Sequence, residues 1–173
     1  MRILLLLLLL LPSLARSAVV DRIVAQVDDQ LVLESDVGLE ERLAAFDTSE
    51  SLFWNPRHKD AMQRLVDAAL IRLAAGDIDL YQPSDQAVKE RRDAVQAKLG
   101  GADAWRDFLK RSGQDEQSFE RVLRRRMVVE RYLGRNNQVE ETNPDKWLGA
   151  CDSLVDQLRE RSRVRLIELR GGK

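Results

Sequence analysis

The chain is poor in the residues that most chemistry needs. It has one cysteine, Cys151, and one histidine, His58, among 173 residues. One cysteine excludes an intramolecular disulfide, and a structural zinc site takes four Cys or His ligands where this chain offers two. A catalytic triad that depends on histidine has a single candidate, and Pro56-Arg57-His58-Lys59-Asp60 reads as the polar first turn of a helix, which makes His58 a surface residue. Neither glycine-rich phosphate-loop pattern occurs, so nucleotide chemistry has no support. Charge of one sign is also missing. Against 28 Lys and Arg stand 29 Asp and Glu, a net charge of −1. That leaves no general field for nucleic acid, whose affinity rests on neutralised phosphates. Aromatic residues make up 5% of the chain. Adjacent carboxylates such as Glu40-Glu41 or Glu140-Glu141 do not face each other on a helix and make no acid-base pair.

Only the beginning carries a long apolar run. Met1-Arg2 precedes Ile3 and an unbroken stretch from Leu4 to Leu11, ended by Pro12. Nine apolar residues after a basic start, followed by small residues, read as a secretory signal peptide over 1–18. They are too few for the roughly 20 residues of a bilayer span. Cleavage is expected between residues 15 and 18. Its loss removes Arg2, Arg16 and no acid, moving the net charge to −3. The remaining residues, 19–173, form one domain large enough to stand on its core. Export places Cys151 in an oxidising compartment. Its position on an apolar helical stripe suits a small buried hydrophobe, with an intermolecular disulfide as the alternative.

Two short β-rich runs, Val19–Val27 and Leu31–Leu33, flank Asp28-Asp29-Gln30 and predict a hairpin with Ile23, Ala25 and Val27 on one face. Asp at its tip tolerates the left-handed backbone that glycine would otherwise supply. Val164–Leu169 is the other strand-like run. Between them the pattern is helical. A first helix is capped at Ser35 or Asp36 and buries Leu39, Leu43 and Phe46. Leu52-Phe53-Trp54 lies in an irregular connection. Asn55-Pro56 signals the start of a second helix running to about Ala75. Ser84 and Asp85 open a third, Trp105, Phe108 and Leu109 share one side of a short fourth, and Asp115 caps a long fifth. Asn143-Pro144 begins the last, with Trp147, Leu148, Cys151, Leu154, Val155 and Leu158 in one stripe. The expected class is mainly α, a bundle of about six helices with a small antiparallel sheet formed by the N-terminal hairpin and the C-terminal strand. Arg124-Arg125-Arg126 reads as a solvated face. Leu52-Phe53-Trp54 and Trp105 with Phe108 are either core plugs or, if exposed, an apolar binding patch.

Five segments, in order, resemble the SurA-type periplasmic chaperones. VDRIVAQVDDQLVLESDV over 20–37 looks like that family's opening strands and helix cap. MQRLVDAALIRLAA over 62–75 is similar to its long second helix, and Pro83-Ser84-Asp85 to its third cap. SGQDEQSFERVLRRRMVVERYL over 112–133 is similar to its Arg-rich helix. WLGACDSLVDQLRERSRVRLIEL over 147–169 looks like its closing helix and strand. The family normally carries parvulin prolyl isomerase domains between the last two, whereas here Asn137 to Asn143 leaves about seven residues. The resemblance thus implies a chaperone domain over 19–173, made of 19–137 and the returning helix and strand 143–170, without isomerase activity. It implies a periplasmic protein that uses no ATP or other cofactor and holds unfolded or extended polypeptides, outer-membrane proteins above all, in an apolar groove. The expected client contacts are Leu52, Phe53, Trp54, Trp105 and Phe108. Two alternative functions stay open, a dedicated structural or partner-binding subunit of an envelope assembly and a residual prolyl isomerase, and the chain could form a homodimer by swapping the C-terminal helix.

Overall fold

The computed structural model describes residues 21–45, 51–140 and 142–167. The signal-peptide reading, Phe46 and the end of the C-terminal strand lie outside them. The described residues are mainly helical, with six α-helices and one three-stranded antiparallel sheet of order β2-β1-β3. β1 (Ile23–Val27) and β2 (Gln30–Leu33) form the hairpin. Its turn places Asp28 at φ 51°, the left-handed conformation a short polar side chain can adopt. β3 (Val164–Leu166) pairs with β1, matching Ala25 to Leu166 and Val27 to Val164, so tail and head share one sheet.

One expected face changes. A bulge lies between Ile23 and Ala25. The extra residue breaks the alternation, so Val24 and Ala25 are both buried while Ile23 turns to solvent.

α1 (Glu34–Ala45) follows β2 directly and buries Leu39 and Leu43. The Asp36 carboxylate accepts from the Leu33 amide at 3.1 Å. α2 (Ala61–Ala75) begins later than Asn55-Pro56 suggested. Asn55 instead closes a turn, accepting from the His58 amide at 3.1 Å through its carbonyl and from the Arg57 amide through its side chain. The helix is started by a reciprocal capping box between Asp60 and Gln63. α3 (Asp85–Leu99) is capped by Ser84 and stopped at Gly100, whose φ of 100° favours glycine. α4 (Ala102–Arg111), α5 (Glu116–Asn136) and α6 (Pro144–Arg159) complete the bundle, the last two capped by Asp115 and Asn143.

Packing produces two apolar clusters. One joins the hairpin, α2, α5 and α6 through Val27, Ala69, Leu70, Ile71, Val129, Trp147, Cys151 and Val155. The other joins α1, α3, α4 and α5 through Leu39, Val88, Val95, Trp105, Phe108, Phe119 and Leu123. α5 serves both, which explains its length and broad apolar face. The Cys151 thiol is buried and accepts from the Asn137 amide group at 3.2 Å, as the small-hydrophobe reading expected.

α6 docks on α2 of its own chain, and the contact has a polar lock. Lys59 Nζ lies 2.6 Å from Asp67 and 2.7 Å from Asp152. Asp67, buried on α2, also takes Arg159 at 2.7 Å. His58 is half-buried and bonded to Asp152 at 3.1 Å, so it is not the surface residue the sequence suggested. The returning helix brought its partner from 94 positions away. Partial burial pushes the Asp152 carboxyl up, but the bonds from Lys59 and His58 outweigh that and hold it below its ordinary 3.8. Burial likewise pushes Lys59 down, and its two carboxylates overcome this to raise it above 10.5.

A lowered carboxyl contributes stability that is present above pH 3.8 and lost as pH falls through the folded value. A raised amine contributes stability that is present below pH 10.5 and lost as pH rises through its folded value. Asp152→Asn should therefore lower Tm at neutral pH and cease to differ from the wild type once the solution is acid enough to protonate the native carboxyl. A Tm difference that persists unchanged at the acid end would contradict this origin.

Candidate functional site

α1, α2 and α5 meet around a carboxylate with two cations. Glu40 is 3% exposed. Its Oε1 accepts from Arg64 Nε of α2 at 2.9 Å, and its Oε2 accepts from Arg126 of α5. Arg64 reaches on to the Lys59 carbonyl. The Arg126 guanidinium lies 3.9 Å over the Trp54 ring centroid, which adds a cation–π contact to the ion pair. Burial pushes Arg126 below its ordinary value, and Glu40 opposes the change. This charged seam separates the two apolar clusters.

The remaining arginines of the Arg124-Arg125-Arg126 run part company. Arg124 bonds Asp85 and the Pro83 carbonyl. Arg125 is exposed, whereas Arg126 is buried, so the run is not one solvated face.

The structure places the sequence-predicted contact residues inside. Phe53 and Trp54 form a 3₁₀ turn, ring against ring at 4.8 Å and 89°, and are each 3% exposed. α6 covers them, with Trp147 in the same cluster. Trp105 and Phe108 pack edge-on against Phe119 at 5.0 and 5.7 Å. The Trp105 indole donates to Glu116 at 3.4 Å. Leu52 is half-buried against the first cluster. Of the two alternatives, core plugs describe Phe53, Trp54, Trp105 and Phe108. As folded they are not an open patch. The physical reason is that each short segment lies under another element, the 3₁₀ turn under α6 from far along the chain and α4 under α5, which follows it directly.

Exposed apolar side chains occur elsewhere. Ile23, Leu31, Leu166 and Ile167 lie on or beside the sheet, and Ile78 and Leu80 in the connection from α2 to α3. Leu166 shares the inward face with Ala25 and Val32, yet as an edge residue it stays 60% exposed. Among the described residues β3 is hydrogen-bonded on one side, and no strand pairs with its other edge.

Sequence reasoning missed the seam, although a signal was present. Phe119, Leu123, Arg126 and Leu133 recur at helical spacing, and so do Arg64, Ala68 and Ile71. An arginine on an apolar stripe must find a buried partner. Among the described residues no group of three or more His, Cys, Asp or Glu could hold a metal, and no helix is long and apolar enough to cross a membrane. No protein-family model matches the chain, and no curated protein matches it significantly.

Proposed function

We propose that the protein is an exported chaperone that holds unfolded envelope or outer-membrane polypeptides without ATP and without catalysing prolyl isomerisation. Support comes from the ordered resemblance of five segments to SurA-type chaperones, together with a fold whose C-terminal helix and strand return to the N-terminal hairpin. The observation that carries the reading is the exposed apolar pair Leu166 and Ile167 on and beside β3, whose outer edge has no strand partner among the described residues. An extended client can add a strand to such an edge through main-chain hydrogen bonds, with neighbouring apolar side chains gripping alternate residues. Weak, repeated contacts of this kind suit holding and need no nucleophile. The client surface therefore moves from the buried aromatics to the sheet.

The decisive experiment is aggregation of an unfolded outer-membrane barrel with the purified mature protein at several-fold excess. Slowed aggregation supports the reading, and an unchanged rate removes it. Leu166→Asp should weaken protection while leaving stability within roughly ±0.5 kcal/mol, because the site is exposed. Equal protection by the variant would deny β3 its role.

A further inference from the structure

Arg72, near the end of α2, and Arg125, on α5, are set apart from most other arginines of the core region. Arg72 donates to Gln30 Oε1 of β2 at 2.6 Å, and Arg125 donates to the Arg121 carbonyl of its own helix at 3.4 Å. Those are neutral acceptors. Most cations around them have a carboxylate: Arg64 and Arg126 have Glu40, Arg91 has Glu130, Arg124 has Asp85, and Arg159 has Asp67, while Arg131 donates to the Gln82 carbonyl. Burial, and then the charge of Arg125, lower the pKa of Arg72 to about 10, with Asp36 opposing. Two guanidiniums facing one space repel each other, and neither forms an ion pair with a described carboxylate that would cancel this.

They do share space. Both line an open cavity of about 460 Å³ that also has Gln30, Leu73 and Val128 on its wall. Both also line a smaller pocket of about 50 Å³ on which Leu31, Leu65, Val122 and Trp54 converge, with Asp36, Glu40 and Arg126 also on its wall; Glu40 is taken up by Arg64 and Arg126. Trp54 is buried, and its indole N–H has no acceptor among the described residues. The two cations thus stand where a polar cavity meets a recess of mixed lining, apolar on the side of Leu31, Leu65 and Val122, that holds an unanswered donor. Asp29 and Asp77 also line the larger cavity. A wall of mixed sign suits a single carboxylate better than a polyphosphate.

We propose that Arg72 and Arg125 form a carboxylate-binding site, and that the recess beside them takes the apolar side chain of the residue bearing it, the C-terminal residue of a polypeptide. The planar forks of two guanidiniums match the two oxygens of a carboxylate. The recess has room for a small branched alkyl group. Read with the chaperone proposal, on which only this last step rests, the site would recognise the free end of a client chain.

The test uses the mature protein and three probes: N-acetyl-leucine, N-acetyl-leucinamide, and N-acetyl-glutamate α-amide, whose carboxylate is on the side chain. Binding is followed by NMR titration of the Trp54 indole and arginine side-chain resonances. N-acetyl-leucine should bind roughly tenfold more tightly than its amide, the scale of one charge-assisted hydrogen bond. Arg125→Gln removes an exposed side chain, so it should leave Tm unchanged and cut the preference below about twofold. Arg72→Gln should do the same even if it lowers Tm. Acid and amide binding alike, or a full preference surviving in Arg125→Gln, would overturn the site. The glutamate probe binding as well as N-acetyl-leucine would overturn the chain-end assignment. Client protection without any acid preference would refute the site alone, and an acid preference without client protection would refute the chaperone reading alone.

Discussion

Glu40→Ala should cost about 3–5 kcal/mol of folding stability, because it leaves Arg64 and Arg126 buried without their carboxylate. The effect is large beside a total stability of about 5–15 kcal/mol for a domain. Urea denaturation at neutral pH measures it, and a loss below about 1 kcal/mol would mean that water or repacking answers the two cations. The arithmetic of buried charge makes a second demand. Replacing all three groups together, as Glu40→Leu, Arg64→Leu and Arg126→Met, should recover most of the loss, since well-packed apolar residues often equal a buried ion triad in stability. The triple variant would lose the cation over Trp54. If it proves no more stable than Glu40→Ala, packing at the seam outweighs charge.

Trp147→Ala should cost about 3–5 kcal/mol as well, for a different reason. Trp147 is 3% exposed and sits with Phe53, Trp54, Cys151 and Val155 where α6 meets the first cluster. Its removal leaves a cavity between the returning helix and the body. Because β3 follows α6 and pairs with β1, the loss should spread to the sheet. The Asp28 amide, which donates to the Arg163 carbonyl at 2.8 Å, reports the junction. Its hydrogen exchange should accelerate together with that of the β1–β2 pairs, in step with the fall in global stability. Fast exchange confined to the β1–β3 pairs, with little global loss, would show a detachable tail.

Much of this fold is written in local pattern. The caps at Ser84, Asp115 and Asn143, the glycine stop at Gly100 and the stripe from Trp147 to Val155 each act within a turn or two, so they can be read without tertiary knowledge. The second helix shows where this fails. Asn55-Pro56 and Asp60 with Gln63 are both valid starts, and the later one prevailed because it satisfies two backbone donors reciprocally. The Val24 bulge was hidden for a related reason: alternation in sequence does not record an inserted residue.

The candidate site was much less legible. Leu52, Phe53, Trp54, Trp105 and Phe108 stood out as apolar residues in short segments, a feature shared by surface patches and by plugs under other elements. Composition and periodicity by themselves determined a mainly helical domain with strands at both ends, since hydrophobic spacing and capping chemistry are properties of neighbouring residues. Which of those residues meet solvent, that Glu40 answers two arginines while no described carboxylate bonds Arg72 or Arg125, and that His58 finds Asp152 were decided by tertiary structure alone. Burial and ion pairing depend on what arrives from far along the chain, and no local pattern carries that information.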